Sequence, residues 1–339
     1  MGRTLRFRQR GTPVLNPEQV AQFKNEGYLI VEGLLDPVVD LDPVIAEYEA
    51  VLDRLARELA AAGAIGSIYA DLPFSERLVQ VYRESGKVHA QYFDFSLPQD
   101  GVRVDTPFWT GPAVFNTIRS ERILDAIQSL IGPEIYSNPV QHVRLKPPER
   151  LTPKDANGVV QLGATPWHQD NGVIRDEADD SDIITVWFPF TDVTEENGCL
   201  AVVPFSHRAG LLTHCPADAA NGSGFGVHIK EKHFESGAAL PMPMKKGSAL
   251  FLTKRTVHSS YANDSANVRF SFDLRYNPIG QPTGRGMFPG FIARSAAHPE
   301  SELRDPVVWT DMWLEARRAL AIGEQPSFNR WDAFSPACA

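Results

Sequence analysis

Apolar residues recur at spacings of three and four early in the chain, whereas short apolar runs bounded by turn residues dominate later. The clearest helical stripe is Val44, Ile45, Tyr48, Val51, Leu52, Leu55 and Leu59. It is opened by Asp42-Pro43 and stopped by Gly63, as helix start and stop signals require. An earlier helix is predicted behind Asn16, with Pro17 in its first turn, Val20, Phe23 and Lys24 on its face, and Gly27 at its end. A third spans Ser120 to Ile131, with Ile123, Leu124, Ile127 and Leu130 inward and Gly132 beyond it. Tyr28–Val31 reads as a short buried strand. Further strands are predicted at Val140–Leu145, Ile183–Phe190, Leu200–Val203, Ser248–Leu252 and Val268–Tyr276. Helices first, then many short strands, imply a mainly β protein with flanking helices around a jelly-roll core. One domain is expected: a helical part over 15–132, the core over 133–280 and a C-terminal extension over 281–339.

Two connections exceed simple turns. Residues 171–182 are rich in Asp and Glu and read as a solvated loop. Residues 205–247 carry His207, His214, His228, His233 and the run Gly222-Ser-Gly-Phe-Gly226. A loop this long in a compact domain is a lid candidate. Its glycines lack the strand-to-helix context of a phosphate cradle, and its histidines lack zinc-site spacing.

Composition narrows the function classes. A net charge of −9 argues against nucleic acid as a partner, since a basic face would be expected. It argues in the same direction, more weakly, against a polyanionic substrate. No apolar run approaches the length that spans a membrane, and the basic start Met1–Arg10 lacks the apolar core of a secretory signal. Cys199, Cys215 and Cys338 are too few and too scattered for a disulfide framework, so a reducing cytoplasm is the expected location. A small-molecule substrate is the expected partner, and nothing in the pattern speaks to oligomeric state.

The chemistry concentrates in Thr165-Pro-Trp-His-Gln-Asp170 and in His258. On a strand, residues i and i+2 share a face, so His168 and Asp170 can aim an imidazole and a carboxylate at one point. A later strand can bring His258 to the same point. Two histidines and one carboxylate on one face of an ion leave its other positions open, which is the ligand set of non-haem iron oxygenases. Arg269, eleven residues further on, offers a planar guanidinium for a carboxylate. Ser271 shares its strand face and adds a hydroxyl. His142 and Arg144 alternate on one face of the strand before the motif, where His142 can line a cavity. Trp167, Asn171 and Phe188 are further candidates for a substrate pocket.

The blocks Lys146-Pro-Pro, Pro166-Trp-His-Gln-Asp-Asn171, Val186-Trp-Phe-Pro-Phe-Thr-Asp192, Glu196-Asn-Gly-Cys-Leu200, Pro204-Phe-Ser-His207, Lys246-Gly-Ser248, Val257-His-Ser-Ser260 and Arg269-Phe-Ser271 occur in a fixed order. In order and spacing the chain resembles the phytanoyl-CoA dioxygenase family of Fe(II)/2-oxoglutarate oxygenases, over about residues 15 to 280. The resemblance implies a double-stranded β-helix, cupin-like core. It implies Fe(II) held by His168, Asp170 and His258, with 2-oxoglutarate and O2 as co-substrates. It places Arg269 and Ser271 on the distal carboxylate of 2-oxoglutarate, with Ser260 and Trp187 nearby. The carboxylate of Asp170 favours hydroxylation, desaturation or ring formation over halogenation, because related halogenases have a small residue there. Phe205 departs from the family, which usually has Gly in a Pro-Gly-Ser-His turn. The tail after about residue 280 is outside the family pattern. Two other classes remain open: a cupin-like metalloenzyme such as an isomerase, and a non-catalytic barrel that binds a ligand. Family resemblance does not name the substrate.

Overall fold

The computed structural model describes residues 14–216, 227–324, 327–330, 332 and 334–338. The chain opens with α1 (Pro17–Glu26), where the Asn16 carboxamide accepts from the Gln19 amide at 2.8 Å and Gln19 Oε1 accepts from the Asn16 amide at 3.0 Å. This reciprocal cap satisfies two amides that the helix cannot. Phe23 is the buried face of α1; Lys24 is exposed. Gly27 ends it at φ +84°, and a Cβ there would lie 2.3 Å from His207 Nδ1, so both conformation and space demand glycine.

The chain continues through β1 (Tyr28–Val31), α2 (Asp42–Ala61), α3 (Phe74–Ser85), α4 (Ala90–Phe93), α5 (Pro112–Ile118) and α6 (Glu121–Ile131). Strands follow as β2 (Ile135–Lys146), β3 (Ile184–Pro189), β4 (Leu200–Val202), β5 (Cys215–Pro216), β6 (Val227–His228), β7 (Leu240–Met242), β8 (Ala249–Thr253), β9 (His258–Ser260), β10 (Arg269–Pro278) and β11 (Phe291–Arg294), and α7 (Pro306–Ile322) comes last. Helix α3 was not anticipated, although Phe74, Leu78, Val81 and Tyr82 ahead of Gly86 carry its stripe.

Six strands form an antiparallel sheet in the order β1-β8-β3-β10-β2-β11, and β7-β4-β9 form a second. The architecture is sheet-rich with a few helices, and the strands of the large sheet do not close on themselves. The helices cover one face of the large sheet, where Phe270, Phe272, Leu274 and Tyr276 of β10 join the core with Tyr48, Phe93 and Phe188. Phe190 stacks on Phe270 with ring centres 4.0 Å apart. Each such ring withdraws enough apolar surface to contribute about 1.5–3 kcal/mol. On the other face Trp187, Leu250 and Leu252 pack against Leu200, Val202 and Met242 of the smaller sheet.

The C-terminal extension returns to the fold. β11 pairs with β2 at the sheet edge, and α7 buries Trp309 and Trp313. Cys215 and Cys338 are joined in a disulfide across 123 residues, contrary to the expectation of unpaired cysteines; Cys199 is free and buried. Sequence spacing could not reveal this pair, because only the folded path of the tail brings Cys338 beside β5. Among the described residues no helix is long and apolar enough to cross a membrane.

Candidate active site

Alternation along β10 builds the site. While its even-numbered residues fill the helical core, Arg269, Ser271, Asp273 and Arg275 point the other way, and all but Asp273 are buried. The register sets Arg269 opposite Lys146, Ser271 opposite Arg144 and Asp273 opposite His142 on β2. On the other side Asp273 faces Trp187 and Arg275 faces Thr185 of β3.

His168 does not lie on a regular strand. It forms a single antiparallel bridge with His258, with backbone hydrogen bonds of 3.0 Å in both directions. Asp170 starts a one-turn 3-10 helix over Asp170–Val173. The i, i+2 geometry holds because Gln169 between them is extended, at φ −116° and ψ 140°. Its side chain runs the opposite way, donating to Gly210 O at 2.8 Å and Arg255 O at 2.6 Å and accepting from the Leu212 amide at 2.8 Å.

One ligand atom from each of His168, Asp170 and His258 lies within 4.8 Å of the others. His168 Nε2 is 3.8 Å and His258 Nε2 is 4.0 Å from Asp170 Oδ1. Each Nδ1 lies 2.9 Å from a backbone carbonyl, Pro166 O for His168 and Thr256 O for His258. Donation from Nδ1–H to those carbonyls leaves both Nε2 lone pairs free for a cation, the usual outer support of a metal-binding histidine. Burial, then the neighbouring His258, pushes the His168 imidazole down to about 3, so it is neutral and able to ligate. This donor set fits a divalent transition metal.

Asp170 is clamped from both sides. Thr185 Oγ1 donates to its Oδ2 and Arg275 Nη2 to its Oδ1. Burial alone would raise this carboxyl, but Arg275 and then the two histidines outweigh it, and the group stays below the usual carboxylate range. Arg275 also donates to Val140 O at 2.8 Å and pairs with Asp273 at 3.3 Å. Arg275 was not among the expected residues, yet it lies on the Arg269 face of the same strand at period two.

Arg269 differs. It is 2% exposed and donates to Ser271 Oγ at 2.5 Å, its guanidinium lies 5.5 Å from the centre of the Trp187 ring, and its Nε has no acceptor. Lys146 beside it is 3% exposed and donates to Ser260 Oγ at 2.7 Å and Tyr261 O at 2.8 Å. Neither cation has a carboxylate partner among the described residues. Burial, followed by Arg144, lowers Arg269 to about 10, and burial followed by Arg269 holds Lys146 well below the usual lysine range. Two buried cations with no carboxylate within ion-pair distance among the described residues have the chemistry to receive one. Lys146 had been noted only as part of a motif.

His168, Asp170, Arg275, His142, Arg144 and Arg285 line a cavity of about 240 Å³. His142 Nδ1 lies 2.8 Å from Asp94 Oδ2, and burial lowers its imidazole despite that carboxylate. The remaining pocket candidates lie elsewhere. Phe188 is fully buried in the helical core, 5.7 Å from Phe190 and from Phe272, because strand alternation turns it away from Trp187. Trp167 packs on Phe234 at 5.3 Å, on the side of its segment opposite His168. Asn171 is buried and donates to Asp179 Oδ1 at 2.9 Å. From the lid candidate, Val227 lines the cavity. The Gly222–Gly226 run lies outside the described residues.

Phe205 keeps the left-handed turn that the family fills with glycine, at φ 64° and ψ −5°. Its amide donates to Glu26 O at 2.8 Å and Arg208 covers its ring at 4.9 Å.

Known proteins are similar to this chain over most of its length. Residues 23–271 match the phytanoyl-CoA dioxygenase (PhyH) family. A phytanoyl-CoA dioxygenase domain-containing protein 1 homolog from Dictyostelium discoideum is 26% identical over 275 residues, 77% of this chain and 91% of that protein. The apo form of ThoJ, a non-heme monooxygenase, superposes with a TM-score of 0.56 at 18% identity, covering 88% of this chain and 96% of its own. The epimerase SnoN, in complex with Fe3+, alpha ketoglutarate and nogalamycin RO, gives a TM-score of 0.46 at 21% identity, covering 79% and 86%. The chain belongs to the phytanoyl-CoA dioxygenase family, the non-haem iron, 2-oxoglutarate-dependent oxygenases.

Proposed function

We propose that this protein oxidises, most simply by hydroxylation, a small organic substrate at iron held by His168, Asp170 and His258, with release of succinate and CO2. The observation that carries the reading is the pair of free Nε2 atoms and one carboxylate oxygen within 4.8 Å, together with a buried arginine on β10 that has no carboxylate partner among the described residues. Bound together, iron and 2-oxoglutarate supply the O2-dependent oxidation of a substrate C–H bond.

The chain's own residues supply orientation and dryness. Pro166 and Thr256 carbonyls fix the two imidazole tautomers. Thr185 and Arg275 fix the Asp170 carboxylate. Arg269, Ser271 and Lys146 bind the distal carboxylate of 2-oxoglutarate by charge-assisted hydrogen bonds. Trp187 bounds that pocket under the guanidinium, and Lys146 orients the Ser260 hydroxyl. His142, with Arg144, lines the substrate end. An isomerase or a bare binding barrel would leave the anion-free Arg269 without a purpose. We read the two facing sheets as a jelly-roll core of a single domain with no nucleic-acid or membrane partner. A cytoplasmic location, expected from scattered cysteines, loses that argument with the Cys215–Cys338 pair.

The test is anaerobic addition of Fe(II) and then 2-oxoglutarate, followed by visible absorption. The weak charge-transfer band of an iron chelate is expected. Tight Fe(II) binding with no band in the presence of 2-oxoglutarate would favour a metalloenzyme of another class.

A further inference from the structure

The cavity beside the triad contains a second unbalanced arginine, and it lies beyond the segment that matches the family. Arg285 is 0% exposed. Its Nε and Nη2 both donate to Val173 O, at 3.2 and 3.0 Å, while Nη1 has no acceptor. Among the described residues it has no carboxylate within ion-pair distance. Its place is built: Gly284 turns at φ +75°, where a Cβ would meet Ile174 at 2.6 Å, and the Arg175 amide donates to Gly284 O at 3.1 Å. The tail closes over it, with the Phe328 ring 5.0 Å from the guanidinium and Asn329 lining the same cavity.

The neighbouring charges do not neutralise it. Asp170 and Asp273 are held by Arg275, and Asp94 by His142. Asp100 lines the cavity but is exposed to water. Arg144 and Arg275 add positive charge. Burial, then Arg275, lowers the Arg285 guanidinium to about 9, as expected of a cation awaiting an anion. Burying an uncompensated charge is costly, so the fold retains a group here that a neutral side chain would make more stable. The cavity, about 240 Å³, is below the ordinary range of ~300–1,000 Å³ for ligand pockets. It suits a small molecule or one end of a larger one.

We propose that Arg285 is a specificity-determining residue that binds a carboxylate on the substrate, so that the substrate is a small carboxylic acid. This rests on the proposed oxygenase reading. The same chemistry could instead hold the 1-carboxylate of 2-oxoglutarate, and the experiment separates the two. The anaerobic Fe(II)·2-oxoglutarate protein would be titrated with acetate, propionate and benzoate and with the matching amides, following thermal stability and the charge-transfer band. Failure of the band in the wild type, before any acid is added, would sink the oxygenase reading and Arg285's role in it, while carboxylate binding at Arg285 would still be decided by the melting temperature alone. With the band present, the acids are expected to shift the melting temperature or the band and the amides are not. Arg285→Gln keeps a donor for Val173 O, and Arg285→Lys keeps the charge. The Gln variant should weaken the acid response at least about tenfold, the effect of losing a charge-assisted bond, and the Lys variant less. In both, 2-oxoglutarate should titrate as in wild type. An equal response to acids and amides, no response to any acid in the wild type, or an unchanged Gln variant would overturn the proposal. A Gln variant that mainly weakens 2-oxoglutarate would assign Arg285 to the co-substrate and overturn it as well.

Discussion

Arg269 and Arg275 project from the same face of β10, six residues apart, and both are buried, yet they do opposite work. Arg275 spends its guanidinium on Asp170, Asp273 and Val140 O. Burial pulls its protonation equilibrium down, but the two carboxylates outweigh it, and the net shift is upward. Arg269 has only the Ser271 hydroxyl as a hydrogen-bond partner among the described residues, and its shift is downward, to about 10. The difference teaches how to tell a clamp from a receptor among buried cations. A clamp has its counter-charge inside the protein. A receptor lacks it, and the deficit is the binding energy reserved for a ligand. On the proposed function, Arg275 is a positioning residue for a metal ligand and Arg269 a ligand-binding residue.

The largest expected effect lies at the point both arginines serve. His168→Ala, Asp170→Ala and His258→Ala should each abolish iron-dependent turnover while near-native circular dichroism is retained. Wild-type activity at limiting iron in any of them would remove that residue from the ligand set. Next comes the clamp. Arg275→Met strands Asp170 and should cost ~3–5 kcal/mol of stability in a denaturant titration. It should also weaken Fe(II) about 10–100-fold, as losing an outer support of a ligand does. Equal iron affinity in the variant would reduce Arg275 to a structural role. The receptor should behave differently. Arg269→Ala should raise the 2-oxoglutarate requirement by about 30- to 1000-fold, a loss of ~2–4 kcal/mol, with iron affinity little changed. Arg269→Lys should recover only part, because a point charge cannot reproduce the fork. Matching effects on iron and co-substrate in both arginine variants would erase the distinction.

Two smaller effects test the surroundings. Cys338→Ser releases the tail that brings Asn329 to the cavity. It should leave 2-oxoglutarate titration unchanged and lower product formed per succinate, since closure over the site limits wasted oxidation. An unchanged ratio would exclude the tail from that role. Phe205→Gly relieves a left-handed residue and should raise stability by about 0.5–1 kcal/mol, with no change in either ligand's affinity. A destabilised variant would show that the Arg208 contact outweighs the backbone strain.

What was legible in the chain follows from local periodicity. The stripes of α1, α2 and α6 and the runs of β1, β3, β4, β8 and β10 can be read because burial repeats at 3.6 or two residues. The meeting of His168, Asp170 and His258 was accessible through motif spacing, and the cavity position of His142 through strand alternation. Phe188 was misplaced although the same alternation, applied from Trp187, sends it to the opposite face. Arg275 was overlooked although period two from Arg269 reaches it.

The sequence by itself therefore determined which side chains share a strand face and the family, because faces follow from period-two alternation and the family from the order and spacing of its motifs. Only the tertiary structure decided which charges are balanced. Whether a buried arginine meets a carboxylate depends on strand register, as for Arg275 and Asp273 against β2 and β3. It depends equally on distant segments, as for Arg285, whose cover of Phe328 and Asn329 arrives from the far end of the chain, tied down through Cys215 and Cys338. Electrostatic balance in a low-dielectric interior is a sum over all neighbours in space, and no window along the chain contains them.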